Sequence, residues 1–119
     1  MTIKIRPAAS NASQRKALTA AKLDALIEEA TVDAYDESEQ TTGFYAMFEE
    51  YLAVPFKTEI LGMEVMVERV EVTDEDQIVA VCARGKSRQR IPLTELPVPA
   101  SPPRGWEWID AYRRWARGK

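Results

Sequence analysis

The chain has 119 residues, 45% hydrophobic and 29% charged, enough for one domain with a buried core and too apolar for a wholly disordered chain. It has no histidine, one cysteine and five glycines, none in a G-x-G-x-x-G or Walker pattern; this excludes imidazole-based triads, most zinc sites, an internal disulfide and Gly-rich phosphate loops. Its net charge of −3 conceals segregation: residues 23–83 hold 16 acids against 2 bases, a local −14, and the rest holds 14 bases against 3 acids, a local +11.

Residues 1–18 read as a flexible arm, and residues 19–119 as a single domain. The start, Met1-Thr-Ile-Lys-Ile-Arg6, has no apolar signal core. The lone Cys82 fits a reducing compartment. No apolar run reaches the roughly 18 residues of a membrane span. We therefore expect a cytoplasmic protein with no membrane partner. Leu23, Leu26, Ile27, Ala30 and Ala34 follow helical spacing and predict a helix over about residues 19–35, capped by Ser13 or Thr19. Phe44, Met47, Phe48, Tyr51 and Leu52 predict a second helix ending before Pro55, with a break near 37–42. Helices joined so closely are expected to lie side by side as an antiparallel hairpin turning near residue 40.

After Pro55 the period becomes two. Phe56–Leu61 reads as a strand and Leu61-Gly62 as its turn. Met63, Val65 and Val67 alternate with polar or outward positions, then the phase slips to Val70 and Val72, which predicts a bulge or sharp bend near Glu68-Arg69. Asp74-Glu75-Asp76 is a polar turn. The apolar run Ile78–Cys82 is a central strand, Arg84-Gly85-Lys86 a turn, and residues 88–93 a last strand with Arg88 and Arg90 on one face. Pro97, Pro99, Pro102 and Pro103 make an extended connection to a helix over 105–116, where Trp108, Tyr112 and Trp115 share a core-docking face. The expected fold is α+β. A helix pair packs on a small curved antiparallel β-sheet, with an SH3-like barrel as one form of it, and a C-terminal helix closes the core.

The acids point to the chemistry. Between Leu23 and Phe56 there is no Lys or Arg. A continued first helix would put Asp33, Asp36 and Glu37 on one face, with Glu39 just beyond, and the hairpin would return Glu49 and Glu50 beside them. Such a carboxylate cluster suits a hard divalent cation; Ca²⁺ takes about six to eight oxygens in flexible geometry, whereas the absent histidines and single cysteine disfavour Zn²⁺ and Cu²⁺. Asp74, Glu75 and Asp76 are a candidate for a second, shallower site. Neither stretch is an EF-hand, since the loop position that needs Glu falls on Met47 when counted from Asp36, and counting from Asp74 puts Ile78 at a ligand position. The competing reading for all these acids is a solvated, non-ligating face.

Val32-Asp-Ala-Tyr-Asp-Glu-Ser-Glu-Gln40, Gly43-Phe-Tyr-Ala-Met-Phe-Glu-Glu50, Leu52-Ala-Val-Pro-Phe56, Ile78-Val-Ala-Val-Cys82 and Trp106-Glu-Trp-Ile-Asp-Ala-Tyr112, in that order, resemble the CcbP-type bacterial calcium-binding family, best known from cyanobacteria. The resemblance spans roughly residues 20–116. It implies a small acidic protein that binds Ca²⁺ without EF-hands, through surface carboxylates, as a buffer or sensor, and we expect no enzymatic activity. Asp33, Glu39, Glu49 and Glu50 lie within the matching motifs. Two other readings stand beside it. The acidic face could dock a protein partner, or the basic end (Arg84, Lys86, Arg88, Arg90, Arg104, Arg113, Arg114, Arg117) could take nucleic acid, which the acidic remainder of the chain opposes.

Overall fold

The computed structural model describes residues 18–118. The arm expected over 1–18 lies almost wholly outside the described residues, as does Ser13. Thr19 caps the first helix, α1 (Ala20–Ala30), its side chain accepting from the Lys22 amide at 3.1 Å. Leu23, Leu26, Ile27 and Ala30 form the stripe that meets the core. The helix stops five residues earlier than its apolar spacing suggests. The Thr31 hydroxyl bonds back to the Ile27 carbonyl, Asp33 adopts a left-handed φ of 64°, and a new helix begins at once.

That second helix, α2 (Glu37–Tyr51), starts with a capping box. Asp36 accepts from the Glu39 amide at 2.8 Å, while the Glu39 carboxylate accepts from the Asp36 amide at 3.3 Å. The break therefore falls at 31–36 and not at 37–42. The expected hairpin turn near residue 40 is absent, since α2 runs unbroken through that position. Ala30, at the end of α1, meets Gly43, whose missing Cβ leaves room for the Ala30 carbonyl.

Four strands follow as an antiparallel meander in the order β1 (Phe56–Ile60), β2 (Met63–Val72), β3 (Ile78–Arg84), β4 (Ser87–Pro92). Leu61 and Gly62 both take positive φ, 52° and 78°, as a tight two-residue hairpin turn requires. The register of β2 on β3 slips between Val67 and Arg69, so that Val67 and Val70 both face inward with Ile78, Ala80 and Cys82. The sheet stays open, with β1 and β4 as its edges, and does not close into an SH3-like barrel.

The sheet's two faces are covered differently. The helices lie on the inner face, where Phe44 and Phe48 of α2 meet Tyr112 of the last helix, α3 (Trp106–Arg117), edge-on at 5.5 and 5.9 Å. On the outer face Val81, 2% exposed, lies in register between Arg69 and Arg90. Those arginines reach the two oxygens of Glu71 at 2.9 and 3.0 Å, and Arg88 grips Glu68 with two 3.0 Å bonds. The charged side chains roof the outer valines with their stems. Arg113 ties α3 to the turn after β4. Its guanidinium donates to the Leu93 carbonyl at 2.9 Å and to that of Leu96, and lies 5.5 Å from the Trp106 ring centre.

Candidate functional site

The nine candidate acids do not form one cluster. Asp33 is exposed at the left-handed turn, and Asp36 stands outside α2 as its cap, so the shared helical face expected for Asp33, Asp36 and Glu37 does not exist. Asp36 and Glu39 each commit an oxygen to the helix start. One Glu39 oxygen takes both the Tyr35 amide at 2.7 Å and the Asp36 amide. D-x-x-E ahead of an apolar run is a capping signature, and it was available in the sequence.

Glu49 and Glu50 belong to the other end of α2. Glu37 and Glu49 are twelve residues apart on one helix, roughly 18 Å along its axis, so a single ion with oxygen contacts of about 2.3–2.6 Å cannot bridge them. Glu49 lies beside Tyr45, whose hydroxyl is pushed up by burial first and then by the Glu49 charge. Glu50 turns toward Tyr51, whose hydroxyl is pushed up chiefly by the Glu50 charge, then by burial and by Glu29 on α1. Tyr51 itself stacks on Trp108 at 5.5 Å, with the rings 10° from parallel.

The second candidate stretch is a well-ordered turn. The Thr73 hydroxyl accepts from the amides of Glu75 (3.2 Å) and Gln77 (3.1 Å), the Thr73 carbonyl accepts from the Asp76 amide, and Asp76 has φ 60°. This turn does not stand alone. A groove of about 290 Å³ joins it to the first turns of α2. Exposed Glu37, Glu75, Asp76 and Gln77 stand at the rim, and buried Thr41, Ile78 and Tyr112 form the floor. The Tyr112 hydroxyl accepts from the Ile78 amide at 3.3 Å, which fixes the start of β3 against α3.

Thr41 is the residue that sequence reasoning missed. It is 1% exposed, and its hydroxyl has no hydrogen-bond partner among the described residues. The neighbouring Thr42 and the earlier Thr31 both bond back to the carbonyl four residues behind. A buried hydroxyl left unsatisfied costs about 1–3 kcal/mol. Its position one turn after Glu37 on α2 was readable, but its burial depends on the distant strands.

The donor chemistry fits a hard cation. The acids and hydroxyls offer oxygen only, and the one thiol, Cys82, lies in the core and is pushed up by burial. Among the described residues no three acids converge closely enough to hold an ion by themselves. Apart from Glu37, none of the nine forms an ion pair with a described residue; the described ion pairs engage Asp24, Glu64, Glu68 and Glu71. Three of the eight residues of the basic end are held by carboxylates, Arg88 on Glu68, Arg90 on Glu71 and Arg114 on Asp24 at 2.8 Å.

No curated protein and no solved structure matches the chain. The family model of CcbP-type proteins, described as calcium binding, matches residues 24–116, which takes in every described strand, α2, about two thirds of α1 and all but the last residue of α3. The chain belongs to the CcbP-type calcium-binding family.

Proposed function

We propose that this chain is a non-catalytic Ca²⁺-binding protein of the cytoplasm, without an EF-hand, whose exposed carboxylates hold the ion as an intracellular buffer or sensor. The supporting observation is that Asp33, Asp36, Glu39, Glu49, Glu50, Asp74, Glu75 and Asp76 form no ion pair with a described residue, in a chain whose family is described as calcium binding. A fold that relieved its acid–acid repulsion internally would pair these carboxylates as it pairs Glu68 and Glu71. The residues that would supply oxygens are Asp33, Asp36, Glu37, Glu39, Glu49, Glu50, Asp74, Glu75 and Asp76, in separate neighbourhoods. When bound, Ca²⁺ supplies positive charge that offsets the carboxylate repulsion.

Calorimetric titration with Ca²⁺, in the absence and presence of Mg²⁺, tests the reading. An ion that binds the folded state alone stabilises it by about 2.7 kcal/mol at a hundredfold excess over Kd. The expected result is a Ca²⁺ heat that Mg²⁺ does not abolish, with a rise in Tm larger for Ca²⁺ than for equal Mg²⁺. No heat and no differential shift refutes it. Capture of a basic protein that persists in chelator would favour the docking reading instead. The nucleic-acid reading loses ground because Arg88 and Arg90 are already held by carboxylates.

A further inference from the structure

We propose that this chain pairs head to tail with a second copy of itself, the α1–α2 turn of each copy seating Tyr35 and Val32 on the apolar end of the other's sheet. The four most exposed large hydrophobic side chains among the described residues are Leu61, Tyr35, Val32 and Met63, the first two 96% and 88% exposed. They fall into two patches of opposite charge. Leu61 and Met63 belong to a hollow of about 320 Å³ at the β1–β2 hairpin, with Ile60, Val65 and Cys82 as its other apolar members. Here the inner face of the sheet runs past the helices. Val67 is buried, Val65 is half-buried and Met63 is exposed, all on one side of β2. Arg84 and Arg88 also line the hollow, Lys86 stands in the adjoining turn, and no described acid lines it. Arg84 and Lys86 form no ion pair with a described residue.

The other patch has the complementary chemistry. Val32 and Tyr35 stand in the turn between α1 and α2, with exposed Asp33 between them and exposed Asp36 beside them. Tyrosine is among the side chains that anchor interfaces, and carboxylates around it suit a basic rim. The two patches cannot meet within one copy. Glu37 shares a groove with the β2–β3 turn, so the α1–α2 turn lies at that end of the sheet. The hollow lies at the other end of β2, whose ten residues span about 30 Å. The chain's own first 17 residues are the wrong occupant for the hollow, since they hold Lys4, Arg6, Arg15 and Lys16 and no acid. Two copies lying side by side in opposite directions make both contacts at once and close as a two-fold dimer, which leaves no patch free to extend a filament.

Sedimentation equilibrium of the full chain in chelator tests the pairing independently of calcium. The weight-average mass should climb from 13.4 kDa toward twice that value as the protein is raised from about 10 µM to about 1 mM, the behaviour of a small interface. Leu61→Asn removes the apolar tip while keeping a residue that tolerates the positive φ of the turn, and Tyr35→Ala removes the ring. Each should weaken pairing at least about tenfold without lowering Tm in dilute solution. Arg84→Gln should weaken it about two- to fivefold, as a rim charge does. An equimolar mixture of Leu61→Asn and Tyr35→Ala should associate again through one contact, because the first keeps the turn patch and the second keeps the hollow. With Tyr35→Ala isotope-labelled, amide shifts in that mixture should centre on residues 60–65 and 82–89; with Leu61→Asn labelled, on residues 31–36. A wild-type mass that stays monomeric at about 1 mM overturns the pairing. So does wild-type association in either single variant, or a mixture that shows no shifts at those residues. Binding of vesicles containing anionic lipid that is lost in Leu61→Asn, by a chain that stays monomeric, would assign the hollow to a membrane surface and equally overturn it.

Discussion

Gly43→Ala reverses the usual sign of a helix substitution, and the reversal measures the α1–α2 contact. Gly43 is inside α2, where alanine normally gains about 1 kcal/mol by restricting the unfolded chain and suiting the helix. A Cβ at this position would lie 2.0 Å from the Ala30 carbonyl oxygen and 3.2 Å from its carbon. The struck atom is backbone and cannot swing aside, so α1 must withdraw by about 1 Å and loosen the packing of Ala30, itself 4% exposed. Overpacking costs about 1–3 kcal/mol. Taking the upper end, because backbone must move, and crediting the helix gain, the net loss is about 2 kcal/mol. For a domain of this size that lowers Tm by roughly 8 °C. Ala46→Gly, exposed on the same helix, supplies the propensity scale and should cost about 1 kcal/mol. Urea denaturation followed by circular dichroism reads both variants. If Gly43→Ala matches or exceeds the wild-type midpoint at unchanged m-value, the helices do not touch at that point and the packing argument fails.

Thr41→Val removes the unsatisfied hydroxyl at nearly constant shape, so the Ca²⁺-free protein should gain about 1 kcal/mol, seen as a higher Tm in chelator; an unchanged or lower Tm means the hydroxyl is already satisfied. Asp36→Ala removes the cap of α2 and should cost about 1 kcal/mol by denaturant midpoint, more than the same change at exposed Glu59. For pH, Asp24 is lowered first by its hydrogen bond from Arg114, and Glu71 by those from Arg90 and then Arg69. A carboxylate lowered in the folded state adds stability that is complete above its unfolded range and disappears as pH falls through the folded value. Asp24→Asn/Glu71→Gln should therefore lower stability at pH 7 and flatten its decline between about pH 5 and pH 2 in acid titrations. An identical acid limb in the variant would refute that assignment.

Local pattern decided the sheet. The positive-φ turn at Leu61-Gly62, the slip near Glu68-Arg69 and the polar turn at Asp74–Asp76 each follow from a period of two and its interruptions, and each stands where the spacing put it. The helix pair was legible only as apolar stripes. Ala34 extends the stripe of α1 by one turn in sequence, but the stripe says nothing of the capping box that begins α2 at Asp36. Two local signals competed, and hydrogen bonds to otherwise orphaned amides won over one further apolar contact. The candidate site depended on that choice. Counting acids along a presumed continuous helix grouped Asp33 with Glu37, and a presumed hairpin grouped both with Glu49. The actual neighbour of Glu37 is the β2–β3 turn, some forty positions away, and only packing of α2 and α3 on the sheet puts it there. Thr41 was invisible for the same reason, since a threonine on a helix face is buried or exposed according to what docks against it.

The charge segregation along the chain is partly undone in space, which bears on how the ion is held. The sheet's acids, Glu68 and Glu71, meet Arg88 and Arg90, and Asp24 meets Arg114, so three of the bases behind the formal +11 are paired where they stand. The field left over comes from the helix and turn acids. If Ca²⁺ responded to that field alone, it would be held diffusely. Its binding would then weaken steeply as the screening length falls from about 30 Å at 0.01 M salt to about 8 Å at 0.15 M, and Mg²⁺ would serve equally, carrying the same charge. Direct ligation predicts otherwise. Oxygen contacts of about 2.3–2.6 Å are inside any of these screening lengths, and Mg²⁺ demands octahedral geometry at about 2.0–2.1 Å and gives up water reluctantly. Calorimetry at 0.02 and 0.3 M KCl should therefore show overall affinity falling with salt while the preference for Ca²⁺ over Mg²⁺ persists. Loss of that preference at the higher salt would mean that the carboxylates act as a field and not as ligands.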